Sequence, residues 1–237
     1  MKMDSLLFHV VKKAGKAIWD YNMIEENDRI LVAVSGGKDS LSLLFVLRER
    51  QRYVPISFEV IACFVDMGFP WVDKDGLISF LEGISVPCIV ARPPSGWQRD
   101  EQLDCFWCSW NRRKALFYVA KEAQCGKIAL AHHMDDIVET MLLNLFFQGE
   151  ISTMRPYQEM FGGEIKIIRP FAYVEESQLS RLSERLKIPV FSAPCPNQVN
   201  SRRRLVKEII AKIARINPNA KKNIFRSLKR VRERYLP

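Results

Sequence analysis

The order of apolar segments is the feature that most constrains how this chain can fold. Short apolar runs typical of buried strands alternate with longer runs in which apolar residues recur at helical spacing. The predicted strands are 30–34, 58–65, 86–91, 127–131 and 165–168, and the predicted helices are 41–50, 73–82, 109–124, 135–147, 174–186, 201–216 and 219–235. Alternating strands and helices predict an α/β fold with a doubly wound parallel sheet. Pro218 separates the last two helices.

Basic residues are concentrated at the end of the chain. Residues 201–237 contain thirteen Lys and Arg but two Glu, whereas residues 1–200 contain 23 basic and 25 acidic residues. Apolar residues at helical spacing in this tail predict basic helices packed on the body of the protein. Such a surface is typical of phosphate binding, most simply nucleic acid, and equally of a solvated helix face.

Composition narrows the class of protein. Hydrophobic residues make up 48% and charged residues 27% of the chain, which is typical of a globular protein and not of a disordered one. No apolar run approaches the roughly 20 residues that span a bilayer, and the first residues do not resemble a signal peptide, so we expect a cytoplasmic protein without a membrane partner. We expect an N-terminal helical segment over 1–25, a main α/β domain over 26–195 and basic C-terminal helices over 196–237.

A glycine loop joins the first predicted strand to the first helix after it. Residues 35–40 read Ser-Gly-Gly-Lys-Asp-Ser, which is not the Walker A pattern because the lysine precedes Asp39. Glycines allow the backbone to approach a phosphate, and free N–H groups at a helix start can bind it. The segment therefore predicts phosphate binding, and the alternative is a tight turn with a polar cap.

A second polar segment, residues 131–140, follows the predicted strand 127–131. Two histidines stand side by side at 132 and 133, and two acids follow at 135 and 136. Ligands of open α/β sheets bind at the carboxyl ends of strands, where two carboxylates can hold Mg²⁺. Asp135 and Asp136 can also cap the helix that begins there.

The six cysteines divide into two groups. Cys105 and Cys108 lie one helical turn apart, a spacing that suits zinc, an iron–sulfur cluster or a redox dithiol. The chain has no second Cys-x-x-Cys pair, and Cys195 remains as a third ligand. Cys63 and Cys88 fall in strand-like runs and are predicted core residues, and Cys125 is predicted to be structural.

Basic and aromatic residues accompany the cysteine pair. These basic side chains can bind nucleic-acid phosphates or simply face solvent, and Trp107 and Trp110 can stack on a base or belong to the core. The candidate nucleic-acid contacts are Arg112, Arg113, Arg169, Arg202, Arg203 and Arg204.

Taken together, these motifs resemble the tRNA 2-thiocytidine synthetases, a family of N-type ATP pyrophosphatases with a PP-loop and an adenine nucleotide alpha hydrolase-like fold. The similarity also covers 168–173, Pro194-Cys195 and 223–228. It implies that residues 26–195 form a PP-loop ATP pyrophosphatase domain with the cysteine cluster, and that the six candidate arginines contact tRNA. It implies an ATP site at Ser35, Gly36, Gly37, Lys38, Asp39, Ser40 and His132, with the adenine near 64–67. It implies catalytic roles for Lys38, Asp39, Asp135 and Asp136, with Mg²⁺ held by Asp135 or Asp136. It also implies a [4Fe-4S] cluster on Cys105, Cys108 and Cys195, which take part in the sulfur chemistry.

The resemblance implies ATP-dependent formation of 2-thiocytidine at position 32 of tRNA, with a cysteine desulfurase or another sulfide donor as partner and a homodimer as assembly. The chain departs from the family pattern at Trp110, where arginine is frequent, and after Cys195, where a second cysteine often follows. It also lacks the paired zinc ribbons of the tRNA 2-thiouridine synthetases. The alternatives are another PP-loop tRNA modification, of the 2-thiouridine or lysidine type, and a non-catalytic zinc-containing RNA-binding module.

Overall fold

A computed structural model describes residues 4–93, 105–193, 195, 202–232 and 234. The described residues contain one six-stranded sheet with the strand order β3-β2-β1-β4-β6-β5. The strands are β1 (Asp28–Val34), β2 (Phe58–Val65), β3 (Cys88–Ala91), β4 (Lys127–Ala129), β5 (Tyr157–Met160) and β6 (Ile165–Ile168).

Eight α-helices accompany the sheet in the described part of the chain. They are α1 (Ser5–Asp20), α2 (Lys38–Gln51), α3 (Lys74–Gly83), α4 (Cys105–Glu122), α5 (Met134–Gln148), α6 (Glu176–Arg185), α7 (Arg202–Ile216) and α8 (Ala220–Ser227). Local chemistry fixes several of their starts. The Asp4 carboxylate accepts a hydrogen bond from the Leu6 N–H at the start of α1, and Asp73 does the same for Gly76 in α3.

The predicted doubly wound sheet is confirmed, with one difference at its edge. Strands β1, β2, β3, β4 and β6 pair in parallel, and β5 pairs antiparallel with β6. The sequence did not predict β5 because its residues, Tyr-Gln-Glu-Met, form neither an apolar run nor a clean alternation. The strand order reverses between β1 and β4, which makes the ends of these two strands the switch point where ligands bind in such sheets.

The core forms where helices cover the sheet. Helix α4 packs on β2, β3, β4 and β6, and apolar side chains such as Leu31, Val65 and Leu116 meet in one buried cluster. Helix α2 packs on β1 and β2, and α1 and α6 pack against α2. Burial of this apolar surface is the main stabilising contribution to the sheet and its helices.

The chain divides into two compact units. One, here called the sheet unit, comprises Met1–His133 and Pro156–Cys195; the other, the helical unit, comprises Met134–Arg155 and Pro196–Pro237. The helical unit contains α5, α7 and α8, which share a small core that includes Val138, Val206 and Ile210. The three segments predicted from sequence have different bounds and stay predictions. The predicted helix 219–235 is too long, because α8 ends at Ser227.

Membrane insertion by a helix is not supported by the described residues. None of the helices in these ranges combines the length and the apolar character needed to cross a bilayer.

Candidate functional site

The glycine loop lies directly after β1, at the switch point of the sheet. Gly36 adopts a φ of +79°, a left-handed conformation that favours glycine, and a Cβ added there would lie 3.3 Å from the Cβ of Phe191. The Ser35 N–H donates to the Ser40 hydroxyl at 3.1 Å, and that hydroxyl donates to the Gly37 carbonyl at 2.9 Å. Hydrogen bonds to Ser40 therefore close the loop, and the start of α2 lies at its open side.

The start of α2 has the chemistry of an anion site. Gly37 is the N-cap residue and offers no side chain to the first N–H groups of the helix, which suits an external acceptor such as a phosphate. Lys38 and Asp39 are half-buried and form an ion pair with each other at 3.1 Å. Lys38 thus carries a positive charge at the place where the sequence predicts the phosphates of ATP.

A small cavity opens beside this loop. Ser35 lines it together with Phe64, Asp66 and Met67 from the end of β2, and Arg112 reaches it from α4. The family resemblance implies an adenine near residues 64–67, and these residues line this cavity next to the loop. Arg112, a predicted tRNA contact, also lines this cavity.

The segment that leads to Cys195 is hydrogen-bonded to the loop. The Phe191 N–H donates to the Gly36 carbonyl at 2.8 Å, and the Ala193 N–H donates to the Trp71 carbonyl at 2.9 Å. Val72 and Ser192 also form an antiparallel bridge, so residues 71–72 pair with residues 192–193. The backbone four residues before the predicted third cysteine ligand is thereby tied to the predicted phosphate loop.

The three candidate cluster ligands lie in one neighbourhood of the sheet unit. Cys105 is the first residue of α4 and is exposed, whereas Cys108 and Cys195 are half-buried. Burial raises the pKa of the Cys108 thiol, the charge of Arg112 lowers it, and the thiolates of Cys195 and Cys105 raise it. Because the charges of both Cys105 and Cys195 act on the Cys108 thiol, the three thiols share one neighbourhood.

The donor set fits a thiolate-held group with three protein ligands. All six cysteines are free thiols, and these three have no other assigned role in the described structure. Among the described residues, no three metal-ligating side chains already stand at metal-binding distances. The three thiols therefore have the right chemistry and neighbourhood, and a bound group would have to draw them together.

The other cysteines behave as the sequence predicts for core positions. Cys63 is fully buried, and burial raises the pKa of its thiol to about 12. Cys125 is buried just after α4, and Cys88 is half-buried at the start of β3. Thiols of this kind are unreactive because the thiolate is disfavoured.

His132 and Arg169 form a hydrogen-bonded pair, although the sequence predicts different roles for them. Arg169 is 6% exposed, and its Nε donates to Nδ1 of His132 at 3.2 Å. The predicted surface contact between Arg169 and tRNA phosphate does not match this buried location, which suits a residue that orients His132. The signal for the pair is absent from the sequence because 37 residues separate the two partners.

The helical unit assembles three acids of α5 with cations of α7 and α8. Arg203 donates to Asp136 and, at 2.7 Å, to Glu139, while Lys221 forms an ion pair with Asp135. Burial raises the pKa of the Glu139 carboxyl, and the charge of Arg203 lowers it. The predicted magnesium carboxylates and the predicted tRNA contact Arg203 are thus paired inside this unit.

Glu139 is a residue that the sequence analysis missed. It lies three and four positions after Asp136 and Asp135 on α5, and this helical spacing is the signal that could have found it. Two further predicted tRNA contacts also have partners in the helical unit. Arg202 lies over the ring of Phe147, with 5.0 Å to the centroid, and Arg204 pairs with Glu208 at 3.2 Å.

A doubly wound sheet with a phosphate-binding loop at its switch point defines a nucleotide-binding α/β protein. Residues 7–213 match the PP-loop domain family. The tRNA-cytidine(32) 2-sulfurtransferase of Syntrophotalea carbinolica is 38% identical over 99% of this chain and 93% of its own. The protein of the same name from Alkalilimnicola ehrlichii is 39% identical over 100% of this chain and 77% of its own. The chain therefore belongs to the PP-loop family and, within it, to the tRNA-cytidine(32) 2-sulfurtransferase family.

A solved structure agrees with this assignment. The U34-tRNA thiolase NcsA from Methanococcus maripaludis, determined with its [4Fe-4S] cluster, superimposes with a TM-score of 0.79. It is 25% identical in sequence, and the alignment covers 95% of this chain and 78% of that one. The expected family and fold are confirmed.

Proposed function

We propose that this protein is an ATP-dependent tRNA thiolase that converts cytidine to 2-thiocytidine, at position 32 as the names of its relatives state. One observation carries the proposal. The loop at 35–40 and the segment that leads to Cys195 are hydrogen-bonded neighbours in the sheet unit, through Phe191 and Gly36. An adenylation site and a sulfur-handling site therefore belong to the same compact unit.

The first step is activation of the base. The phosphates of ATP bind at the start of α2, where Lys38 offsets their charge. The O2 atom of cytidine attacks the α-phosphorus, the bond to the bridging oxygen breaks, and pyrophosphate leaves. Arg112, at the cavity beside the loop, stabilises the negative charge that develops at the phosphorus.

The second step replaces oxygen by sulfur. Adenylation makes the O2 atom a good leaving group, so a sulfide can add at C2 and AMP departs with the oxygen. Cys105, Cys108 and Cys195 would hold a [4Fe-4S] cluster, which supplies this sulfide when it is bound. Arg112 is one helical turn after Cys108 and offsets the charge of its thiolate.

Other parts of the proposal concern ions and partners. Magnesium at Asp135 or Asp136 stays a prediction, because both carboxylates are engaged with cationic side chains here. A cysteine desulfurase or another sulfide donor, a homodimeric assembly and a cytoplasmic location remain part of the proposal. The free thiols of all six cysteines suit a reducing compartment.

Mass spectrometry of nucleosides from bulk tRNA tests the function. A strain without this gene should lose 2-thiocytidine, and the wild-type gene should restore it. Cys105→Ala, Cys108→Ala and Cys195→Ala should fail to restore it, whereas the matched control Cys88→Ala, half-buried in β3, should succeed.

The alternatives give different results in the same experiment. If 2-thiouridine is lost instead, the sulfur-transfer reaction stands and the modified base is uridine. If lysidine is lost, the attacking nucleophile also differs from the proposed sulfide. No change in any tRNA nucleoside, with zinc in the purified protein and no conversion of ATP to AMP, would leave a non-catalytic RNA-binding module. Full thiolation by any one of the three cysteine variants would refute the three-ligand assignment.

A further inference from the structure

Helix α4 has a second face that the cysteines and the nucleotide cavity do not use. Cys108, Arg112 and Leu116 recur every fourth residue, and they face the sheet core and the cavity beside the phosphate loop. A different stripe, at positions 110, 113, 114, 117, 118 and 121, also recurs at helical spacing. This stripe lines a separate groove of about 430 Å³ in the sheet unit.

Aromatic side chains form much of this groove. Phe117 from α4 meets Phe161 edge to face, with 5.0 Å between the ring centroids and 86° between the planes. Trp110 and Tyr118 also line the groove, and 54% of Tyr118 is exposed. Large exposed aromatic surfaces of this kind are suited to stacking on a planar ligand.

The wall opposite α4 is a strained turn. Phe161 follows β5 with a φ of +52°, a conformation that bulky side chains rarely adopt, and two glycines with positive φ come next. The turn nevertheless leaves 58% of the Phe161 side chain exposed at the groove. Strain of this kind is characteristic of functional segments, and here it holds an aromatic ring at the surface.

The charge of the groove favours an anionic ligand. Its lining contains Arg113, Lys114 and Lys121 but a single acid, Glu164. Within the ranges that the structure describes, neither Arg113 nor Lys121 makes an ion pair, and Lys114 lies 5.9 Å from the ring centroid of Tyr118. A second copy of this chain would bring the same cations to the same face, whereas a polyanion complements them.

We propose that this groove binds a single-stranded stretch of RNA, with bases stacked on Tyr118 and Phe161 and phosphates at Arg113 and Lys121. The proposal rests on the proposed function, in which tRNA is the substrate, and adds where its loop lies. Roughly 20 Å of helix separates Cys108 from Lys121, a distance that follows from the rise of 1.5 Å per residue.

The surface between the cysteines and the groove is aromatic as well. The rings of Phe106 and Trp110 stack with 6.4 Å between their centroids and 12° between their planes. More than half of Phe106 and of Trp107 is exposed. A strand of RNA that leaves the cysteine end of α4 can therefore continue over aromatic side chains into the groove.

Affinity for an unmodified tRNA transcript, measured by fluorescence anisotropy without ATP, tests the groove. Tyr118→Ala should weaken binding at least about fivefold, the lower end of what one stacked base contributes. The matched control is Tyr53→Ala, since Tyr53 is 62% exposed after α2, and it should bind as the wild type does. Circular dichroism verifies that both exposed-site variants are folded.

Salt dependence separates phosphate contact from stacking. Loss of one phosphate contact in Lys121→Ala should reduce the slope of log K against log salt concentration by about 0.7 to 0.9. Tyr118→Ala should leave that slope unchanged. The control Lys12→Ala, at an exposed position of α1, should also retain the wild-type slope.

The outcomes keep this inference distinct from the proposed function. A wild-type protein that neither binds nor thiolates tRNA refutes the proposed function. A wild type that does both, while Tyr118→Ala and Lys121→Ala bind with unchanged affinity and slope, refutes the groove alone. If Tyr118→Ala changes only the sedimentation coefficient, the groove is a protein–protein surface and the RNA assignment is wrong.

Discussion

We expect Asp28→Asn to destabilise the protein because it breaks an ion pair of the buried Lys127 at the start of two central strands. Lys127, the first residue of β4, is 2% exposed, and its Nζ atom lies 2.6 Å from Asp28 and 2.7 Å from Glu25. Asp28 is the first residue of β1, and β4 pairs with β1 from Lys127 onward. The ammonium group therefore joins the starts of two central strands that lead to the predicted site.

The two carboxylates should contribute unequally. Breaking a buried pair typically costs about 3–5 kcal/mol because a charge is left without compensation. Glu25 still offsets part of this loss, so we expect about 2–3 kcal/mol for Asp28→Asn. Glu25 is itself 64% exposed, and Glu25→Gln should cost less than about 1 kcal/mol, as for a solvent-screened pair.

Urea denaturation followed by circular dichroism at pH 7 measures these free energies of unfolding. Adding Lys127→Met to Asp28→Asn should recover part of the lost stability, because it removes the uncompensated charge and retains the apolar volume. The reasoning would be refuted if Asp28→Asn and Glu25→Gln had equally small effects and the double variant recovered no stability. Loss of the Asp28 charge would then not leave Lys127 as an uncompensated buried charge.

The pH dependence gives an independent check. A hydrogen bond from Lys127 and, next, its charge lower the pKa of Glu25 below its ordinary value of 4.5, against a smaller opposing effect of burial. A carboxyl whose pKa is lower in the folded state stabilises the protein above its unfolded-state pKa. This contribution should be lost as the pH falls below about 4.5, and Glu25→Gln should remove that part of the acid destabilisation.

Two further predictions concern the candidate site. Gly36→Ala should lower the free energy of unfolding by about 1–2 kcal/mol because the φ of this residue is positive. The added Cβ also meets Phe191, so calorimetric titration should give at least tenfold weaker ATP binding. Wild-type affinity would contradict the role of the loop. Arg112→Leu removes the charge that lowers the pKa of Cys108, so alkylation of Cys108 at pH 8 should slow. Peptide mass spectrometry measures this rate, and an unchanged rate would contradict the placement of Arg112.

The parts of the fold that follow from local patterns were predictable. The strand 58–65 matches β2 to the residue, because its apolar sequence, interrupted by Glu59, begins at Phe58 and stops before Asp66. Strand β5 was not predictable, since its residues become a strand only by pairing with β6. The early end of α8 was also missed, because the residues after Ser227 continue a helical pattern that the fold does not follow.

The candidate site likewise has parts that the sequence predicts and parts that it does not. The loop at 35–40 is contiguous, so its six residues predict its position and chemistry together. Contacts between distant segments carry no sequence signal, as the hydrogen bonds from Phe191 to Gly36 and from Arg169 to His132 illustrate. The family and the fold are confirmed, whereas ATP-dependent thiolation remains the proposed function and the roles of individual residues stay predictions.

The basic tail illustrates why a count of charges overstates phosphate binding. The net charge of residues 201–237 predicts an RNA-binding surface, yet Arg203 and Lys207 converge on Glu139, at 2.7 and 3.6 Å, and Lys221 pairs with Asp135. These cations offset buried acids of the same unit, whose burial without them would be costly. Phosphate binding by the tail must therefore come chiefly from its remaining cations, and charge pairing within the fold decides which ones.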